Sequence, residues 1–199
     1  MNEIFTKCIY THDGIVKSNI FENKRALDIG CGQRKLPGAV GMDIIKNSTA
    51  DVIHDASAIP WPFEDSSFKI VFANHFVEHI DDLLAFFNEV HRILEPNGRL
   101  IMQVPYFRWV DAYTDPTHRH FFTSQSLDYV IAGTKLSEYS YTSKQFKSIG
   151  FWYGWPAQSK NPLVNLFKSY ISKHPKFYDQ YLSLFLPVPC LTWELEALK

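Results

Sequence analysis

A-L-D-I-G-C-G-Q-R-K-L-P-G-A-V-G-M-D, running from Ala26 to Asp43, is the stretch whose reading decides the fold. A short apolar run around Asp28 breaks into two glycines, Gly30 and Gly32. A second short run, Ala39 to Met42, ends in the carboxylate of Asp43. Physically this is strand, glycine turn, strand, acid. The glycines let backbone N–H groups approach a ligand where a Cβ would stand in the way. An acid at the end of the next strand can accept two hydrogen bonds from a ribose diol, as in dinucleotide-binding α/β folds. The competing reading is a plain turn between two core strands with an incidental surface Asp, because short glycine motifs recur by accident.

Outward from this stretch, Arg25 to Ile29 reads as the first strand. Only eight residues, Cys31 to Gly38, connect it to the second. A parallel crossover normally takes a dozen or more and carries a helix. Eight extended residues span about 27 Å, enough to return along a short strand. The helix after the first strand is therefore expected to be missing or reduced to a turn. Ala50 to His54 reads as a third strand and Lys69 to Ala73 as a fourth, with I-P-W-P-F-E-D-S-S-F between them. Trp61 and Phe63 in that loop either wall a ligand or plug the edge of the core. Asp81 and Asp82 start a helix, and Leu83, Leu84, Phe86, Phe87, Val90, Ile93 and Leu94 fall at helical spacing on its buried face. E-P-N-G-R stops it, and Leu100 to Val104 makes a fifth strand.

Taken together these pieces resemble a known family. L-D-I-G-C-G followed by G-M-D is similar to motif I and the acidic strand end of class I S-adenosylmethionine (SAM)-dependent methyltransferases. The form L-D-I-G-C-G-x-x-x-L-P-G-x-x-G-x-D resembles a short subgroup within the type-11-like family. P-F-E-D-S-S-F, the F-V-E-H-I segment after the fourth strand and R-I-L-E-P-N-G-R-L resemble further motifs of that family, in the same order. In the last, Asn97 replaces a glycine, and Asn tolerates positive φ better than most residues. The resemblance covers about Ala26 to Val104. It implies a Rossmann-like α/β domain, with a mostly parallel sheet and an antiparallel last strand. SAM is the implied cofactor. Asp43 would hold the ribose, with Ile44 beside it. Gly30, Cys31 and Gly32 would pass beneath the methionine end, and Asp28 would orient its ammonium. Asp55 and Ala56 would meet the adenine, and Asn74 and His75 would flank the methionine or the acceptor. A lone Asp after a strand is also a common turn residue, so Asp55 carries both readings.

After the fifth strand, residues 105–123 pack aromatics with Asp111, Asp115, His118, Arg119 and His120 into a loop too long for a mere connection. Ligands bind at such loops on open α/β sheets, and the subgroup has a similar D-P-T-H-x-x-x-F-T stretch. Transfer to a hydroxyl needs a general base. His118 is the expected base, oriented by Asp115, with His120 beside it and Pro116 stiffening the turn. Competing readings make these histidines surface groups, substrate ligands or, with Asp115, metal ligands. His75 and His79, spaced i, i+4, would share a helix face for a metal, but no third ligand is near in sequence, and no metal is expected.

Ser124 to Ala132 and Ser143 to Ile149 read as short helices, and Phe151 to Trp155 as a sixth strand. Residues 161–189 read as a helical insertion with two apolar stripes. It either covers a sheet edge or serves as a dimer or membrane-surface contact. L-T-W-E-L-E-A-L-K alternates as a final strand. Met1 to Lys24 reads as a weakly patterned lead-in, expected to cover the cofactor or substrate site.

Composition narrows the class. The chain has 199 residues, 46 % hydrophobic and 21 % charged, as expected of one globular domain. Its net charge of −1 gives no case for nucleic-acid binding. Cys8, Cys31 and Cys190 are odd in number and far apart, which argues for reduced thiols. With no apolar leader and no ~20-residue apolar run, a cytoplasmic protein is expected. The expected activity is SAM-dependent methyl transfer to an acceptor hydroxyl, of a glycan precursor or another small molecule. Two alternatives are an N- or small-molecule methyltransferase that works without a base, and a SAM-binding subunit that supports a partner. A dehydrogenase is disfavoured, because G-C-G-Q-R-K lacks the third glycine of G-x-G-x-x-G.

Overall fold

The computed structural model describes residues 8–11, 14–17, 25–156 and 159–199. Most of the lead-in therefore lies outside the described residues. Its described part is a two-stranded hairpin, β1 (Cys8–Thr11) with β2 (Gly14–Lys17). The remaining strands are β3 (Ala26–Ile29), β4 (Val40–Asp43), β5 (Val52–Ile53), β6 (Phe68–Asn74), β7 (Leu94–Pro105), β8 (Phe146–Tyr153) and β9 (Cys190–Ala197). They form one sheet of order β5-β4-β3-β6-β7-β9-β8. The pairs from β5 through to β7 are parallel, and β9 runs antiparallel to both β7 and β8. This is the Rossmann-like architecture that the sequence implies.

The strands form where apolar residues can be buried on both faces. β3 is buried throughout, and its neighbours β4 and β6 nearly so. Parallel central strands require this. No helix joins β3 to β4. The connection turns at Gly30 and Gly32, both at positive φ (65° and 52°), and is knitted to the following loop. Thr49 donates its amide and hydroxyl to the Gly32 carbonyl (2.9 and 3.1 Å), and Lys35 reaches both oxygens of Asp51 (2.9 and 2.7 Å). These bonds replace the rigidity that a crossover helix would supply.

One large cluster fills the face under α1 (Leu83–Ile93). Asp82 caps this helix by accepting from the Ala85 amide at 2.9 Å, and Phe86, Phe87, Val90 and Ile93 are its buried stripe. Each such side chain contributes about 1.5–3 kcal/mol of burial and the cap about 1. Trp61 plugs this core: it is 2 % exposed, packs on Phe86 and donates its indole N–H to the Ala56 carbonyl at 2.9 Å. After the helix, β7 opens with an Asn97 turn (φ 62°), and its register with β6 jumps from Phe68↔Leu94 to Ile70↔Arg99.

Two expected helices are absent. Residues 124–132 form successive turns whose amides reach mostly three residues back, as Asp128 to Gln125 and Val130 to Leu127. Residues 146–149, expected as part of a helix, are the first half of β8, drawn into the sheet by pairing Phe146 with Ala197. The insertion does contain helices, α3 (Pro162–Lys173) and α4 (Pro175–Gln180). From α4, the buried Asp179 accepts from the hydroxyls of Tyr106 and Tyr153 (2.8 Å each) and from the Ser124 amide (2.9 Å). Burial first, and Asp179 next, push both phenols far above their ordinary range, so they remain neutral donors.

Candidate functional site

The C-terminal ends of β3, β4, β5 and β6 carry the residues singled out in the sequence. Gly30 donates to the Met42 carbonyl at 2.8 Å, and a Cβ there would stand 2.3 Å from the Phe76 ring. A Cβ on Gly32 would meet nothing within 4 Å, so open space lies above that turn. The carboxylate of Asp43 is locked: one oxygen accepts from the Gly32 amide and the other from Ile45, at 2.8 Å each. Glycine turn and acid are thus a single hydrogen-bonded unit. Ile44 beside it is exposed. A glycine turn with open space above it, backed by an oriented carboxylate, fits an adenosyl cofactor.

Asp28 lies beneath, 4 % exposed, accepting from the Leu36 amide at 2.8 Å. Burial pushes its carboxyl up to about 7, against the opposing pull of that amide and of Lys35. Cys31 is buried, and burial followed by the nearby Asp28 and Asp43 pushes its thiol up to about 11, so it stays neutral. Asp55 is exposed and accepts from the Ser57 amide at 2.9 Å, which is the turn role, while Ala56 is buried and its carbonyl holds Trp61. With Trp61 in the core, it is not a wall for a ligand.

Asn74 ends β6 and His75 follows it, both exposed, with His75 at φ 50° and its amide on the Gln103 carbonyl. The following residues Val77–His79 form a 3-10 turn. His75 and His79 therefore do not share a helix face, and the i, i+4 pairing is not realised. The buried Glu78 comes forward instead. It is 1 % exposed, and neither carboxylate oxygen has a hydrogen-bond partner. His75 Nδ1 lies 3.5 Å and His118 Nε2 3.9 Å from its Oε1.

The long loop is stapled to this turn. The amides of Arg119 and His120 both donate to the Glu78 carbonyl, at 2.8 and 3.3 Å. His118 is oriented by the Ala112 carbonyl, 2.9 Å from its Nδ1, and not by Asp115. The short helix α2 (Asp111–Thr114) supplies that carbonyl. Asp115 instead binds Thr117, through its amide (2.8 Å) and hydroxyl (2.6 Å), and Thr117 Oγ1 lies 2.8 Å from His79 Nδ1. The imidazole that Asp115 steadies is thus His79, through a hydroxyl. These bonds hold the Asp115 carboxyl below its ordinary value. The His79 and His118 rings meet edge to face at 4.7 Å, while His120 packs near Phe122 with its Nε2 buried and unpartnered. Outside this cluster Tyr113 stacks on Phe121 at 4.8 Å, and both are largely exposed. Glu78, His79 and Thr117 carry roles that sequence spacing missed. Their signal was the adjacency of E-H and D-P-T-H to strand ends, and it needed the fold to pair them. A groove of about 800 Å³ lined by Asp65, Asn88, His91, Arg92, Lys144 and Lys199 shares none of these residues.

Residues 27–102 match a family described as a methyltransferase domain. A SAM-dependent methyltransferase from Archaeoglobus fulgidus superimposes with a TM-score of 0.55 at 17 % identity, over 88 % of this chain and 87 % of that one. A methyltransferase described as putative, from Bacillus halodurans, gives 0.53 at 15 % identity, over 87 % and 92 %. A putative methyltransferase solved in complex with the Trm112 methyltransferase activator of Haloferax volcanii gives 0.53 at 12 % identity, over 89 % and 84 %. Comparison with functionally characterised proteins by sequence gave no match.

Proposed function

We propose that this SAM-dependent methyltransferase delivers its methyl group to an acceptor hydroxyl held by residues 105–123. When bound, SAM supplies an electrophilic methyl on a sulfonium, so the chain's task is alignment and proton removal. Asp43 meets the ribose hydroxyls. Gly30, Cys31 and Gly32 give the methionine end its backbone bed, and Asp28 faces its ammonium. Asp55 and Ala56 meet the adenine; Asn74 and His75 border the transferring end. The observation that carries the acceptor assignment is the His118 ring. Its Nδ1 donates to a carbonyl, so Nε2 keeps the lone pair that a hydroxyl proton needs. Asp115 and His120 belong to the same loop, Asp115 steadying His79 through Thr117. The exposed Tyr113–Phe121 stack suits the apolar face of a sugar ring, which favours a glycan or glycolipid precursor over a compact acceptor.

Calorimetry with SAM and with S-adenosylhomocysteine tests the cofactor part. Asp43→Ala should weaken both about ten- to a hundredfold, as expected for a lost charged acceptor worth ~1.5–3 kcal/mol. Unchanged binding would refute the assignment. Transfer of labelled methyl to fractionated glycan precursors tests the acceptor. His118→Ala should retain SAM affinity while turnover falls about 10²–10⁴-fold.

A further inference from the structure

Glu78 poses a problem that the hydrogen bonds around it leave unsolved. A carboxylate offers only acceptors when ionised, and burying one without a partner is costly. Imidazoles face it: His75 Nδ1 on an exposed ring, 3.5 Å from Oε1, and the rings of His118 and His79. His118 donates from Nδ1 to the Ala112 carbonyl, so the Nε2 that lies 3.9 Å from Glu78 Oε1 bears a lone pair. His79 follows the same logic. The Thr117 hydroxyl has one proton, and at 2.6 Å it goes to the Asp115 carboxylate; the hydroxyl therefore accepts from His79 Nδ1–H, leaving Nε2 with a lone pair. One donor atom from each of Glu78, His79 and His118 lies within 4.8 Å of the other two. Three electron-pair donors gathered around a buried carboxylate that has no hydrogen-bond partner are arranged for a cation.

We propose that Glu78, His79 and His118 form a binding site for one divalent transition-metal ion, at the junction of the post-β6 turn and the acceptor loop. Two imidazoles with one carboxylate form a borderline donor set, suited to ions such as Zn²⁺, Fe²⁺ or Mn²⁺ rather than to Ca²⁺ or Mg²⁺. Donors about 2.0–2.2 Å from an ion stand roughly 3–3.5 Å apart, so the 3.9 Å Glu78–His118 gap must close by about 0.4–0.9 Å, within a cluster whose donor atoms all lie within 4.8 Å of one another. A supporting shell is in place: His118 Nδ1 is held by the Ala112 carbonyl and His79 Nδ1 by the Thr117 hydroxyl, the kind of outer hydrogen bond that orients metal-bound histidines. Three protein ligands leave a coordination position open. The ion would occupy the Nε2 lone pair that the base role of His118 needs, so the site and that role exclude one another, and the ion titration decides between them.

The test uses the full chain, stripped with chelator, dialysed and titrated with Zn²⁺ and with Mn²⁺ by calorimetry, with metal content measured by mass spectrometry. One ion per chain is expected. Glu78→Gln, which keeps the shape of the buried side chain, and His118→Ala should each weaken it at least tenfold, while His174→Ala on the remote surface should not. Co²⁺ loaded into the wild-type chain should show the visible absorption of nitrogen and oxygen coordination, which Glu78→Gln abolishes. Circular dichroism on each variant separates a lost ligand from a lost fold. Absence of stoichiometric binding, or binding undiminished in a folded Glu78→Gln, would overturn the site. SAM titrations on the same samples keep the two readings apart. Ion binding without SAM binding upholds the site and sinks the methyl-transfer reading; SAM binding without ion binding does the reverse.

Discussion

Asp28 shows how one buried carboxyl links this fold to pH. Burial raises its folded value to about 7, well above the ordinary value of 3.8. Between those two values the folded chain holds a proton that the unfolded chain has released, so stability falls as pH rises through this window. The advantage of the protonated carboxyl is complete below about 4 and gone above about 7. Asp28→Asn keeps an acceptor for the Leu36 amide and cannot ionise. It should therefore gain on the wild type between pH 4 and pH 8 by on the order of 2–4 kcal/mol. Urea unfolding of both proteins at the two pH values checks this, and an equal difference at both would refute it. At this scale the sequence was readable where backbone geometry demands a residue type: Gly30, Gly32 and Asn97 all take positive φ. It was not readable where a side chain's partner lies some forty residues away. Nothing in D-P-T-H says that His118 will face Glu78. The obvious pairing of neighbours, Asp115 with His118, was accordingly the wrong one.

Whole elements were legible when local pattern and tertiary demand agreed. The helix after the fourth parallel strand had a cap, an apolar stripe and a stop, and α1 follows them. The stretch Ser143 to Ile149 misled because Phe146 and Ile149 sit three apart, which mimics a helix face. The rows of β9 settle it as strand, and a register shift beside Gly150 lets the Trp152 ring lie against that residue. The insertion was legible as helical, but its outer surface was not. Leu163, Leu166 and Phe185 are 72, 69 and 81 % exposed, so the stripes do not simply cover a sheet edge. Among the described residues no helix is long and apolar enough to cross a membrane. Exposed apolar surface of this kind marks association. Light scattering should find the intact chain larger than a monomer, and Leu166→Asp with Phe185→Asp at monomer size. An intact monomer that binds anionic vesicles would reassign the surface to lipid.

Across the whole molecule, the sheet order places the cofactor strands and the antiparallel β9–β8 pair on opposite sides of β6 and β7. The short β3–β4 connection foretold the missing crossover helix from chain reach alone. The ties between distant parts could not be foretold, because each depends on packing of the complete chain. Asp179 is the clearest of them. It lies in the insertion yet holds Tyr106 and Ser124, at the two ends of the long loop of residues 105–123. Asp179→Asn should speed hydrogen exchange at Ser124 and in α4 together, with amides of β3 and β4 unaffected; exchange that rises in α4 alone would disprove the linkage. In mechanical terms the two phenol hydroxyls and one amide make the insertion the long arm of a lever and the loop its short arm. A load seated on α3 and α4 would be passed through Asp179 to Tyr106 and Ser124, at the two ends of that loop.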